Sequence, residues 1–353
     1  MRAELRDAYV ESVRVDYEKI RVQHAAKKVQ ALVSLDEARA NPHQIDWQSY
    51  VPPRPRLLGR KVLLHYDLAE IARYIDWTPF FQTWDLTGSY PKILTDPVAG
   101  EAARSVLADG QAMLERIIAE KWLQATAVFG LYAAASVGDD IEIYTDASRM
   151  KKAMVWHGLR QQSEKAADRA NRCLSDFVAP KESGLADYIG AFAVTAGIGI
   201  DAHVAAFEAK HDDYSAIMLK ALADRLAEAF AELLHERVRK EFWGYAREEK
   251  LSVTELIAEK YRGIRPAPGY PACPDHTEKA ALFELLGASE AGVTLTENFA
   301  MMPASSVSGF YLAHPDSTYF AVGKIGADQA ADYARRKALT LEETERWLAP
   351  NLA

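Results

Sequence analysis

Cysteine is almost absent from this 353-residue sequence, which holds only Cys173 and Cys273. Two thiols are too few for a disulfide framework or for a zinc site built mainly of thiolates. No stretch approaches the ~18 uncharged apolar residues of a membrane span, and the N-terminus lacks the apolar segment of a signal peptide. The net charge of −8 excludes the broad basic field that binds nucleic acids or anionic membranes. These absences predict a cytoplasmic protein that binds neither nucleic acid nor membrane.

The common catalytic and nucleotide-binding motifs are missing too. TAGIGID, residues 195–201, contains G-x-G without the third glycine of a dinucleotide-binding loop, and no phosphate-binding P-loop occurs. None of the nine histidines lies in H-E-x-x-H, and the acids and histidines of residues 201–213 follow no chelating spacing. Cys273 and His276 could suggest a thiol and its base, but no third, orienting group is identifiable. The sequence therefore predicts no catalytic side chain and no metal site.

Hydrophobic periodicity predicts a chain of helices grouped with hairpin-linked strands. The predicted helices cover residues 2–38, 97–122, 160–173, 214–245 and 278–288, a shorter one ending near Asp76, and two C-terminal helices, the last opened by the pair Thr340 and Glu343. The predicted strands lie near residues 61–66, 125–146, 185–201, 293–301, 306–314 and 318–325. Because strands and helices do not alternate regularly, the pattern predicts an α+β fold with an antiparallel sheet.

The segment RPAPGYPACPDH, residues 265–276, contains four prolines and one glycine. Each proline fixes its own φ and biases the preceding residue toward extended geometry, so the segment must be an ordered loop. Such a loop could simply connect two elements. It could also aim the Arg265 guanidinium, which binds carboxylates and phosphates in a bidentate manner, into a binding site.

Two acids are further candidates for ligand contacts. Asp76 stands among two tryptophans and two phenylalanines in IDWTPFFQTW, as a helix-end residue or as an acceptor for a cationic or amino-bearing ligand. Glu228 lies about 180° around its helix from Leu219 and Leu226, by ~100° per residue, which predicts an exposed surface acid. Its alanine neighbours would nevertheless let another backbone or a ligand approach closely. An arginine and an acid that converge on one pocket would suit an amino-acid zwitterion.

Several long stretches of the sequence, taken together, resemble one known family. They are IDWTPFFQTWDLTGSYPKIL, SVGDDIEIYTD, CLSDFVAPKESGLADYIGAFAV, HDDYSAIMLKALADRLAEAFAELLHERVRKEFWGY, RPAPGYPACPDHTEK and HPDSTYFAVGKI. In this order they resemble the C-terminal activation domain of cobalamin-dependent methionine synthase, from about residue 50 to the terminal ERWLAPNL. The R-x-x-x-G-Y spacing of Arg265, Gly269 and Tyr270 matches the S-adenosylmethionine signature of that family.

The resemblance implies a single C-shaped α+β domain with a twisted antiparallel sheet and flanking helices. It places a helical connector at residues 1–38 and the S-adenosylmethionine-binding activation domain at residues 39–353. Arg265 would hold the methionine carboxylate and Asp76 its amino group. The other implied contacts are Glu228, Gly269, Tyr270 and Ala272 along the site, and Tyr319 and Phe320 at the nucleoside. The family commonly has tyrosine where this sequence has Phe320, so any role of that hydroxyl is absent or replaced.

The chemistry implied by the resemblance is reductive methylation, a methyltransferase reaction in methionine biosynthesis. S-adenosylmethionine would donate the methyl group that returns inactive cob(II)alamin to methylcobalamin, after a flavodoxin-type reductase supplies one electron. Asp201 and His203 match only half of the family's D-x-H-x-x-G cobalt-ligand signature, because Ala206 replaces its glycine. The cobalamin would therefore be carried by a separate domain. The chain could be a fragment of a larger synthase or a separate subunit, and it could act only as a docking module without activity of its own.

Overall fold

The structure, a computed structural model, describes residues 3–26 and 31–353. Its helices are α1 (Ala3–Ala26), α2 (Leu35–Ala40), α3 (Leu68–Ala72), α4 (Thr78–Gln82), α5 (Gly100–Ala119), α6 (Ile200–Glu208), α7 (Asp213–Arg237), α8 (Val253–Ile257), α9 (Glu278–Leu286), α10 (Ala327–Lys337) and α11 (Leu341–Leu348). Its strands are β1 (Gly59–Tyr66), β2 (Gln124–Val137), β3 (Asp140–Tyr144), β4 (Lys152–His157), β5 (Asp187–Ile198), β6 (Thr294–Leu295), β7 (Met301–Met302) and β8 (Ser306–Tyr311). A π-helical turn, Val238–Phe242, continues α7.

Six strands form one antiparallel sheet, in the order β4-β3-β2-β5-β8, with β1 also paired to β2. The long strand β2 carries two partners along one edge: β1 pairs with residues 125–131 and β3 with residues 134–137. Its other edge pairs with β5 over almost the whole strand. The α+β class and the antiparallel sheet predicted from the sequence are confirmed.

Helices cover both faces of this sheet, which explains why β2 and β5 read as nearly continuous apolar runs. On one face α7 contributes Leu219, Leu222, Leu226, Phe230 and Leu233, all buried with Phe129 and Phe192 of the sheet. On the other face α9 packs through Leu282 and Leu286 into a cluster that contains Trp156 and Phe310. The apolar stripe predicted for α7 is the one that the fold buries.

The N-terminal helix is shorter than predicted. Instead of one helix over residues 2–38, α1 ends at Ala26 and a separate helix α2 begins after Ser34, whose side chain accepts from the Glu37 amide in a capping box. Residues 2 and 27–30 of the predicted helix lie outside the described residues. Arg39 of α2 pairs with Asp139 and Asp332, at 2.7 and 2.6 Å. Residues 31–40 therefore pack against the body of the protein.

Two further predictions of regular structure are wrong. Residues 160–173 form an irregular loop, because buried Arg160 turns inward to pair with Asp139 and Asp176, both at 2.7 Å. Residues 318–325 form no strand, and the amide of Val322 instead donates to the carbonyl of Pro271 at 2.8 Å. In the described part of the chain, no helix is long and apolar enough to cross a membrane.

Candidate functional site

A cleft lies where α7, the proline-rich loop and the segment around residue 320 meet. It has two adjoining cavities, of about 430 and 350 Å³, which share Glu228, Glu259 and Arg265 in their walls. The larger cavity is mostly apolar, and the smaller one is lined by charged groups. The cleft therefore offers an ionic end and an aromatic end to one elongated ligand.

The proline-rich loop is fixed between the sheet and the 318–325 segment. The Pro266 carbonyl accepts from the Phe310 amide of β8 at 2.9 Å, and the Pro271 carbonyl accepts from Val322. Inside the loop, the Tyr270 carbonyl accepts from the Cys273 amide at 2.9 Å. The loop is therefore held in place by backbone hydrogen bonds near its start and at its middle, as expected for a preformed wall of a binding site.

Arg265 begins this loop and is held by side chains from three elements. Its Nη2 lies 2.7 Å from Oε2 of Glu232, and its Nη1 donates to the hydroxyl of Tyr261 at 2.8 Å. Nη1 also lies 3.3 Å from Nδ1 of His235, which accepts because a guanidinium can only donate. Burial and two arginine charges keep the pKa of His235 well below its usual range, so this ring is neutral. The hydroxyl of Tyr319 accepts from the Arg265 amide at 3.0 Å. The Arg265 side chain keeps 21% of its surface exposed, toward the cleft.

Carboxyl groups surround this guanidinium in the smaller cavity. Asp76, Glu228, Glu232 and Glu259 all line it, together with Arg225. Burial raises the pKa of Glu228 and of Glu232, and for Glu232 the neighbouring Arg265 and Arg239 charges oppose that rise. Asp76 accepts from the amide of Thr78, the first residue of α4, at 2.9 Å, and its carboxylate also lines the cavity. The cavity thus offers both signs of charge, with an excess of acids.

The larger cavity supplies flat apolar surfaces. Tyr319 and Phe320 line it opposite Ala267, Tyr270 and Ala272 of the loop. Tyr270 is 56% exposed and stands at the mouth, whereas Ala272 is buried. Aromatic faces of this kind stack on planar rings such as nucleobases.

Seven of the eight predicted ligand contacts come together in this cleft. They are Asp76, Glu228, Arg265, Tyr270, Ala272, Tyr319 and Phe320. Glu228 is half-buried there, so its interpretation as an exposed surface acid is wrong: the loop and α8 cover that side of α7. Gly269 does not line either cavity. Its φ is +94°, and a Cβ there would lie 2.3 Å from the His276 ring, so the glycine permits this close approach within the loop.

Two comparisons bear on this architecture. The family model described as vitamin B12 dependent methionine synthase, activation domain, matches residues 67–338. The chain belongs to this family. A crystal structure of the MetH reactivation domain bound to AdoHcy is 58% identical, with a TM-score of 0.89 over 91% of this chain and 99% of that one. The fold and the family that the sequence resemblance implied are both confirmed.

The activation domain also contains functional candidates that sequence reasoning missed. Glu232, Tyr261 and His235 hold Arg265, and Glu259 lines both cavities. Glu232 follows Glu228 by four residues, so both lie on one side of α7. That spacing was the available signal for Glu232. His235 lies on the same helix, three residues after Glu232, whereas Glu259 and Tyr261 follow α8 and had no local signal.

The thiol and histidines that could have suggested other chemistry have separate roles in this activation domain. Cys273 accepts from the indole of Trp156 at 3.3 Å, and burial raises its pKa well above the usual range. The Nδ1 of His276 lies 3.0 Å from Nζ of Lys279, so it is not paired with the thiol. His203 stacks on Trp122 with ring centroids 4.7 Å apart. Within residues 3–26 and 31–353, no group of acids, histidines and cysteines could hold a metal ion.

Proposed function

We propose that the cleft binds S-adenosylmethionine and that the chain thereby supplies the methyl group that reactivates cobalamin in a B12-dependent methionine synthase. The observation that carries this proposal is the meeting of Arg265, flanking acids and aromatic residues along one cleft with two lobes. The donor has the same order of groups, with a zwitterionic amino acid, a sulfonium and a nucleoside. Family membership supports a methyltransferase context for this binding.

In this proposal the smaller cavity holds the amino-acid end. The exposed part of Arg265 would receive the carboxylate, while Glu232 and Tyr261 keep the guanidinium from rotating away. Asp76 would accept from the amino group, since only one of its carboxyl oxygens accepts from the Thr78 amide. The excess of acids in this cavity favours a ligand with net positive charge, as S-adenosylmethionine has.

The larger cavity would hold the nucleoside between Tyr319, Phe320 and the loop. Phe320 offers an apolar ring face, and Tyr319 is oriented by its hydrogen bond with the Arg265 amide. Tyr270 and Ala272 would line the same lobe. Gly269 would act indirectly, through the loop shape that brings these neighbours into place.

The proposed methyl transfer requires that the chain positions the donor, and it requires no proton transfer. The leaving group of a sulfonium methyl donor is a neutral thioether, so no general acid or base is needed. Cobalamin, carried by a separate domain, supplies the nucleophile that accepts the methyl group. The residues of this chain orient the donor and keep water from the buried end of the cleft. This division of work is consistent with a site that contains no catalytic triad.

Two partners belong to the proposal. One is the cobalamin-binding domain of a methionine synthase, and the other is a flavodoxin-type reductase that supplies the electron. The first helix, α1, would serve as the connector toward the cobalamin domain. The alternative is a docking module that binds these partners without taking part in methyl transfer.

Calorimetry with S-adenosylmethionine tests the binding step. We expect one site per chain, and a large loss of affinity in Arg265→Gln. Arg60→Gln is the matched control, because Arg60 also makes one ion pair, with Glu290 at 2.7 Å, but lies on β1 away from the cleft. Equal affinity in both variants would contradict the assignment of Arg265.

Transfer is tested by mixing the chain with a cobalamin-loaded domain, a reductant and the methyl donor. If methylcobalamin forms only when the chain is present and does not form with Arg265→Gln, the result supports a direct part of the chain in methyl transfer. Complex formation without methylcobalamin would instead establish the docking module.

A further inference from the structure

A further cavity lies outside the cleft. It measures about 570 Å³ and is formed by the 160–173 loop and residues 41–44. It shares no wall residue with either lobe of the cleft. Its function therefore requires a separate explanation.

The walls of this cavity carry three cations and one acid. Lys165, Arg169 and Arg172 line it with Asp168, so its formal charge is positive in a chain whose net charge is −8. Within the described part of the chain, no carboxylate pairs with any of these three cations. The Nε of Arg172 is buried and has no hydrogen-bond partner. Desolvation and the charges of Arg172 and Arg169 lower the pKa of Lys165, which indicates that the cations repel one another.

The loop that carries these cations is fixed in place. The side chain of Asn171 donates to the carbonyls of Gln161 and Ser163, at 2.8 and 3.0 Å. Asn41 donates to the Arg169 carbonyl at 2.9 Å. The Gln161 amide donates to the Arg172 carbonyl at 3.0 Å. A loop held in this way keeps the repelling cations together, and this arrangement is stabilised when an anion binds between them.

We propose that this cavity binds a phosphate monoester. Guanidinium and ammonium groups are the usual partners of phosphate, and a phosphate monoester carries about two negative charges at neutral pH, which would balance the surplus of cations. The cavity is in the size range of small-molecule sites, so it has room for the organic part of an ester beside the phosphate. Gln44 offers an amide group for that part. This inference does not depend on the function proposed for the cleft.

The test is a calorimetric titration of the chain with inorganic phosphate and with glycerol 3-phosphate, in a phosphate-free buffer at low salt. We expect saturable binding, with the ester at least as tight as inorganic phosphate. Lys165→Gln and Arg172→Gln should each weaken binding by about tenfold or more, since each removes a charge-assisted hydrogen bond. Lys165→Arg keeps the charge and should retain binding, which separates loss of charge from loss of folding.

Two control variants test whether the anion binds in this cavity. Lys151→Gln removes an exposed lysine elsewhere, and Arg60→Gln removes an ion-paired arginine of β1; both should leave phosphate binding unchanged. The proposal is overturned by absence of saturable binding, or by equal affinities in Lys165→Gln, Arg172→Gln and Lys151→Gln. The proposal is also overturned if inorganic phosphate binds but glycerol 3-phosphate does not.

Discussion

Replacement of Arg265 by alanine should affect both ligand affinity and stability, for separable reasons. The side chain is the partner of Glu232 at 2.7 Å and of the Tyr261 hydroxyl at 2.8 Å. Without it, the nearest cation to Glu232 is Arg239, at 3.9 Å. Breaking a buried ion pair by removing one partner costs about 3 to 5 kcal/mol. A bound carboxylate would lose a comparable partner, so affinity for S-adenosylmethionine should fall by about 2 to 5 kcal/mol, or roughly 30-fold to several-thousand-fold.

The stability loss in Arg265→Ala should depend on pH with a defined sign. Burial already raises the pKa of Glu232, and removal of the Arg265 charge raises it further. The folded state then holds the Glu232 proton more tightly than the unfolded state does. The destabilisation should be smallest at low pH, grow as pH rises through the unfolded value of about 4.3, and level off above the folded pKa.

The double variant Arg265→Ala/Glu232→Gln separates the two effects. It contains no unpaired buried carboxylate, so urea unfolding should show recovered stability and a flatter pH dependence than in Arg265→Ala. Calorimetry should still show weak binding of S-adenosylmethionine, because the guanidinium is absent. Recovery of affinity together with stability would refute the direct role of Arg265, and so would unchanged affinity in the single variant.

Three further predictions concern the cleft and the packing beneath it. Because burial raises the pKa of Glu228, affinity for the cationic donor should increase as pH rises through that pKa and then level off. Glu228→Gln should flatten this pH profile of affinity, measured by calorimetry. An unchanged profile would show that the charge of Glu228 does not contribute to binding. Gly269→Ala should lower the free energy of unfolding in urea by about 1 to 3 kcal/mol, because its φ is +94° and the new Cβ meets His276. His276→Ala in the same chain should relieve part of this loss. If the effects of the two substitutions simply add in the double variant, that contact is contradicted. Gly110→Ala should lower the urea midpoint, although the same change at an exposed helix position stabilises a protein by about 1 kcal/mol. The reason is that the new Cβ would lie 2.7 Å from Cζ of Phe80. A stabilised variant would refute this packing.

Local patterns predicted the parts of the fold that local chemistry determines. The stripe of α7 and the Thr340 capping box of α11 follow from side chains three or four residues apart, and both are confirmed. The prediction failed at residues 160–173, where helical spacing occurs but Arg160 pairs with Asp139 and Asp176 of other segments. Buried ion pairs between distant segments leave no periodic signal in the sequence.

The same limit applied to the cleft. The stiffness of the 265–276 loop and the family resemblance together predicted seven of its lining residues. The interpretation of Glu228 as an exposed acid was wrong because helical periodicity shows only that its side of α7 faces away from the sheet. It does not show that segments later in the chain cover that side. Glu232 was missed because its importance comes from Arg265, which lies 33 positions further along the chain.

The excess of carboxyl groups around Arg265 has a consequence for turnover. Four acids and two arginines line the smaller cavity, so its formal charge is −2 when all of them are ionised. A methyl donor with a positive sulfonium enters this field, and the thioether left after transfer is neutral at sulfur. The attraction lost with one charge at 4 Å is about 1 kcal/mol in water and about 4 kcal/mol at an effective dielectric constant of 20. Loss of the positive charge at sulfur on methyl transfer would thus weaken the electrostatic attraction between the demethylated donor and the acids of the cleft. Release of that product and binding of a new donor molecule would be favoured.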